Sequence, residues 1–165
     1  MTQHYTDAPA LGPSPEPSRE EGLLALAERV EALTHADKAV NRAVARAVGW
    51  GYQTPSEAKR KNPAWFHPDD CRDGKPVIDS LHGTDMWREP LNYLGSLDAA
   101  VKLVPEGAAW EIHRTIGGQF WADVSVSLGD AWWSDQGCTV AATPALALTA
   151  AALRALAAST PTEAK

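Results

Sequence analysis

Apolar positions recur at helical spacing near both ends of the chain and alternate with polar ones between them. Ser18 opens the first pattern, with Glu21 three residues on. That is a capping box, in which hydroxyl and carboxylate satisfy the free N–H groups of a helix start. Leu23, Leu26, Ala27, Val30 and Leu33 then share one face, with Glu28 and Glu31 off it. Thr34 and Asp37 offer a second start. Val40, Ala43, Val44, Ala47 and Val48 follow at the same spacing, and Gly49 is placed as a stop. Ser96 predicts a short helix over Leu97 to Leu103, ended by Pro105. Thr143 at the cap and Pro144 in the first turn predict a last helix through Ala158, and its one charge is Arg154. A helix that is apolar nearly all round is either the central helix of a fold or part of a subunit interface.

Between these helices, Trp110 to Leu128 carries the clearest strand pattern. Trp110, Ile112 and Ile116 alternate with Glu111, His113 and Thr115. Phe120, Ala122, Val124, Val126 and Leu128 alternate with Trp121, Asp123, Ser125 and Ser127. Gly117-Gly118 joins the two runs. A two-residue loop there pairs Ile112 with Asp123 and sets the apolar rows on opposite faces. A three-residue loop pairs Ile112 with Ala122 or Val124 and restores one apolar face. The pattern therefore predicts an odd-length loop with a left-handed glycine. Residues 49 to 95 are irregular, with five prolines and six scattered aromatic residues. Short strands are expected near 49–53 and 64–67, with the aromatics anchoring the rest.

Composition sharpens this reading. The apolar share is 44%, but 29 of the 165 residues are alanine and seven are tryptophan. Residues 1–17 hold four prolines and no apolar run, so they read as a disordered tail. Residues 159–165 read as a second one, leaving one α+β domain over 18–158. The fold class expected is an antiparallel sheet packed with helices. The net charge of −6 makes general attraction to nucleic acid or anionic lipid unfavourable. Cys71 and Cys138 form no C-x-x-C pair, which fits a reducing cytoplasm, and a single bridge between them stays open. No signal-peptide pattern or membrane span is legible, and no cofactor motif is present.

Three blocks resemble a known family. They are Asp37-Lys-Ala-Val40 leading to Val48-Gly-Trp50, then Ser96 through Gly107, then Ala142-Thr-Pro-Ala-Leu-Ala-Leu148 running to Ala155. Their order resembles the phage ABA-sandwich domain proteins, small bacteriophage and prophage proteins of uncharacterised function. The resemblance covers roughly residues 24 to 158 and implies an α–β–α arrangement, a phage or prophage origin and the cytoplasm of the bacterial host. It implies no reaction.

Several clusters carry candidate chemistry. Glu111, His113, Trp121 and Asp123 share the polar face of the hairpin, where a carboxylate beside an imidazole and an adjacent indole could hold a small anionic or aromatic ligand. The simpler alternative is a solvated face with a cross-strand His113–Asp123 ion pair. Trp132 and Trp133 are a second aromatic candidate for ligand binding; they point to opposite faces of a strand, so one is expected in the core and the other exposed or covered by a partner subunit. His67, Cys71 and His82, with Asp73, are weak metal candidates because their spacing matches no standard zinc pattern. A solvated acidic turn explains them as well. Lys59-Arg60-Lys61 before Trp65-Phe66 resembles a single-strand-binding surface, but in an acidic protein it reads more simply as solvent contact. The expected function is non-catalytic binding of a small ligand or a host protein. The alternative is a virion structural protein, a homo-oligomer assembled along the apolar helix and Trp132-Trp133.

Overall fold

The computed structural model describes residues 18–53, 64–66, 68, 71–72, 75–76, 89–128, 131–134 and 138–159. His67, His82, Asp73, the Lys59-Arg60-Lys61 run, the 1–17 tail and residues 160–165 lie outside the described residues. So do the side chains of Cys71, Trp132 and Trp133.

The chain has a mixed α+β fold. In order it forms α1 (Arg19–Glu31), α2 (Lys38–Ala47), β1 (Gly51–Gln53), β2 (Ala64–Phe66), β3 (Cys71–Arg72), β4 (Lys75–Pro76) and α3 (Leu97–Val101). It continues through β5 (Ala109–Arg114), β6 (Phe120–Leu128), β7 (Ala131–Ser134), β8 (Thr139–Ala141) and α4 (Pro144–Ala158). The helix starts are the expected ones. Ser18 Oγ accepts from the Glu21 N–H at 3.2 Å while Glu21 accepts from the Ser18 N–H at 2.8 Å. Asp37, Ser96 and Thr143 cap α2, α3 and α4 by the first of these bonds alone, their side chains accepting from the Val40, Ala99 and Leu146 N–H groups. α3 is shorter than its periodicity suggested, because the chain leaves helical geometry after Val101 and runs through a turn to Val104. Gly49 ends α2 at φ 96°, a conformation that L side chains rarely adopt.

α4 is the centre of the fold. Ala145 through Leu153, Ala155 and Ala157 are all buried in this one helix. α1 and α3 pack on it, and β6 and β8 cover it from the sheet side. Alanine makes this possible: a helix with small side chains lets neighbours approach from every direction without voids. The helix is consumed by its own fold and offers no free face for assembly with other copies, which removes it from the oligomer reading. Its one charge is also accounted for. Arg154 reaches Glu31 at the end of α1 through Nε at 3.0 Å and Nη2 at 2.8 Å. The same carboxylate oxygen of Glu31 accepts from the buried Thr139 hydroxyl at 2.5 Å, tying α1, α4 and β8 together.

The main sheet is antiparallel. β6 is its long strand, with β5 on one side and β7 and β8 sharing the other. Ile112 pairs with Ala122 and Trp110 with Val124, the one-faced register expected from an odd loop. Ile116, Gly117 and Gly118 form that loop. It closes on a Thr115 N–H to Gln119 C=O bond of 2.8 Å, with Gly118 at φ 83°. Ala122 and Val124 turn to α4 and are fully buried. A separate hairpin, β1 with β2, sets Tyr52 opposite Trp65. The Arg46 guanidinium of α2 lies over both rings, at 4.5 and 5.6 Å. This is how the irregular middle is anchored to the helices.

Ala151 is wholly buried. Ala151→Leu should lower stability by about 1–3 kcal/mol through overpacking. Urea unfolding checks this, and an unchanged midpoint would show slack around α4.

Candidate functional site

The face of the sheet away from α4 collects the hairpin residues singled out from sequence. The register places His113 directly opposite Trp121 and Glu111 directly opposite Asp123. The His113 and Trp121 rings lie 5.3 Å apart between centroids and are tilted by 40°. His113 Nε2 is 3.2 Å from Glu111 Oε2, and both side chains are more than half exposed. The expected His113–Asp123 ion pair is therefore replaced by a His113–Glu111 pair along one strand. The reason is the register: Asp123 is only diagonal to His113, and Trp121 fills the position opposite.

Two further residues were not foreseen. Cys138, just before β8, accepts the Trp121 indole N–H at 2.8 Å. Its thiol is exposed and forms no disulfide among the described residues. Ser125 donates its hydroxyl to Asp123 Oδ2 at 2.6 Å. Asp123 itself is buried, at 8% exposure, although it stands on the outer face. Its second oxygen, Oδ1, is covered and has no hydrogen-bond partner among the described residues. Val140, opposite Trp121 on β8, is exposed and adds an apolar flank.

A hydrogen-bond inventory of this face is lopsided. The Trp121 donor goes to sulfur, the Ser125 donor goes to Asp123, and His113 is engaged by Glu111. The unmatched group is an acceptor, Asp123 Oδ1. The acceptor that this face leaves open to solvent is the Glu111 carboxylate, because Asp123 Oδ1 is covered.

A second concavity, of about 300 Å³, opens between the first turn of α2 and residues 89–92. Lys38, Asn41, Arg42, Trp65, Glu89 and Asn92 are among its lining. Two of its polar groups, the carboxamides of Asn41 and Asn92, are engaged by the backbone. The Asn41 carboxamide donates to the Leu91 carbonyl at 2.9 Å and accepts from the Leu94 N–H at 3.3 Å. Asn92 accepts from the Gly95 N–H at 3.1 Å. This cleft holds the 89–95 segment against α2. Nearby, burial pushes the Tyr93 phenol above the usual tyrosine value, partly offset by the Trp50 indole N–H that it accepts at 2.9 Å.

Among the described residues no group of three or more His, Cys, Asp or Glu is placed to hold a metal ion. The His67–Cys71–His82 candidate lies outside them. No helix in the described residues is long and apolar enough to cross a membrane. No family model, curated protein or solved structure matches the chain.

Removing Asp123 loses a hydrogen bond from Ser125 and relieves an unpartnered buried oxygen, each worth about 1–3 kcal/mol. Asp123→Ala should therefore leave stability within about 1 kcal/mol of the parent. Thermal unfolding with the urea midpoint checks this, and a loss above about 3 kcal/mol would make Asp123 a structural residue.

Proposed function

We propose that the protein is a non-catalytic binding module, and that the His113–Trp121 surface takes a flat, donor-bearing group, cationic rather than anionic. The observation that supports this is the tilted His113–Trp121 ring pair itself, with the exposed Glu111 carboxylate at its edge. A planar cation gains from the indole face and from a carboxylate at once. An anion would face Glu111 and Asp123 with only a histidine to offset them, so the anionic ligand admitted by the sequence is the less favoured one. A guanidinium group, free or on a host protein's arginine, has the required shape and charge.

The phage setting rests on the three residue blocks described above. A small accessory protein that captures a ligand or a host protein fits that setting. The virion-assembly reading loses α4 as an interface, since that helix is internal.

The full chain, labelled with ¹⁵N, is to be titrated with argininamide and, separately, with benzoate. Argininamide should shift the Trp121 indole signal and benzoate should not. Trp121→Ala and Glu111→Gln should each weaken argininamide binding by about tenfold. An unmoved Trp121 signal, or an equal response to benzoate, contradicts the proposal.

A further inference from the structure

β5 is the outermost strand of the main sheet. Residues 109–111, 113 and 114 are exposed and Ile112 is half-buried, so the strand's outer side meets solvent. Its hydrogen-bonding phase follows from the hairpin. Thr115 donates to Gln119 across the loop, so Thr115 points its backbone groups at β6. Antiparallel pairing alternates, so Ala109, Glu111 and His113 point at β6 as well. The N–H and C=O groups of Trp110, Ile112 and Arg114 then point outward. No described residue pairs with them. The opposite edge of the sheet is no such template. It is divided between β7 and β8, and the pairing of β6 shifts register there. β5 is thus the continuous edge with free backbone groups, the kind of edge that invites another strand.

The side chains of β5 specify which strand. In a two-fold antiparallel pair, residues with outward backbone groups must face one another, which leaves only a few alignments. Centred on Glu111, the alignment sets two glutamates opposite each other. Centred on His113, it sets two histidines opposite each other. Centred on Arg114, it sets two arginines together. Centred on Ile112, every pair is complementary. Ile112 meets Ile112 of the second copy, Trp110 meets Arg114, and Glu111 meets His113. The Glu111–His113 pairs fall at the non-hydrogen-bonded positions, where opposing side chains come closest. The Trp110–Arg114 pairs lie on the other face, where Trp110 is 42% exposed and an arginine over an indole is favourable. This alignment also keeps the helical layers of both copies on the same side of the extended sheet.

We propose that the protein forms a homodimer by pairing β5 with β5 of a second copy, centred on Ile112, so that the two main sheets become one. Complementarity of the strand with itself, carboxylate to imidazole and guanidinium to indole, selects the occupant, and a strand of unrelated sequence would lack it. The proposal does not depend on ligand binding by the His113–Trp121 surface.

Sedimentation of the full chain from about 10 µM to about 1 mM tests it. The expected result is a mass that rises with concentration toward twice that of the chain. Glu111→Lys removes the carboxylate that meets His113 of the second copy and puts a second donor in its place, and should weaken the dimer by about tenfold. The exchanged pair, Glu111→His with His113→Glu, restores complementarity and should recover the parent value to within about threefold. Arg114→Pro removes an outward N–H, a change an edge strand tolerates, and should also weaken the dimer. Circular dichroism verifies that each variant is folded. If Arg114→Pro does not fold, the comparison of Glu111→Lys with the exchanged pair decides. A monomer at every concentration overturns the proposal. So does a dimer that Glu111→Lys leaves unchanged or that the exchanged pair fails to restore.

Discussion

The fold depends on burying one alanine-rich helix from all sides. α4 has no polar face to give to solvent, so every neighbouring element must cover part of it. α1 and α3 cover it from one side and the sheet from the other. The small side chains are what allow both layers to approach at once, and they also mean that each contact contributes little apolar area. The larger residues around the helix, such as Leu23, Val30, Val44, Leu94 and Val124, supply what alanine does not. The only charged side chain on α4 is drawn to Glu31, which also holds Thr139, so the polar exception itself links three elements.

One consequence is a sheet with two unlike faces. Its inner face is spent on α4 through Ala122 and Val124. Its outer face keeps Glu111, His113, Trp121 and Val140 at the surface, and no described residue pairs with the outer edge of β5. Neither feature serves the core. Both the surface chemistry and the edge pairing are available because α4 needs only one side of the sheet.

Much of this was legible in the sequence where the signals are local. Ser18 with Glu21, Asp37, Ser96 and Thr143-Pro144 mark helix starts because capping bonds span three residues. The single apolar face of the hairpin followed from parity, since a one-residue slip would have set Asp123 opposite Ile112 and turned either β5 or β6 the wrong way round, while the choice between Ala122 and Val124 as the partner of Ile112 was left to the structure. The rest is long-range. The Trp121–Cys138 contact exists only because β8 returns beside β6, and three-residue β8 is too short to show a period. Asp123 reads as a solvent-facing residue in an alternating strand, and its burial is set by neighbours that the pattern does not encode. The cleft beside α2 depends on Asn41 bonding Leu91 and Leu94, about fifty positions away.

Native-state amide hydrogen exchange tests the central role of α4 most directly. Amides in the middle of α4, from Leu148 to Leu153, should open only with global unfolding and exchange most slowly of any in the chain. Slower exchange in α2 or the β1–β2 hairpin than in α4, or α4 amides that open locally, would contradict the account.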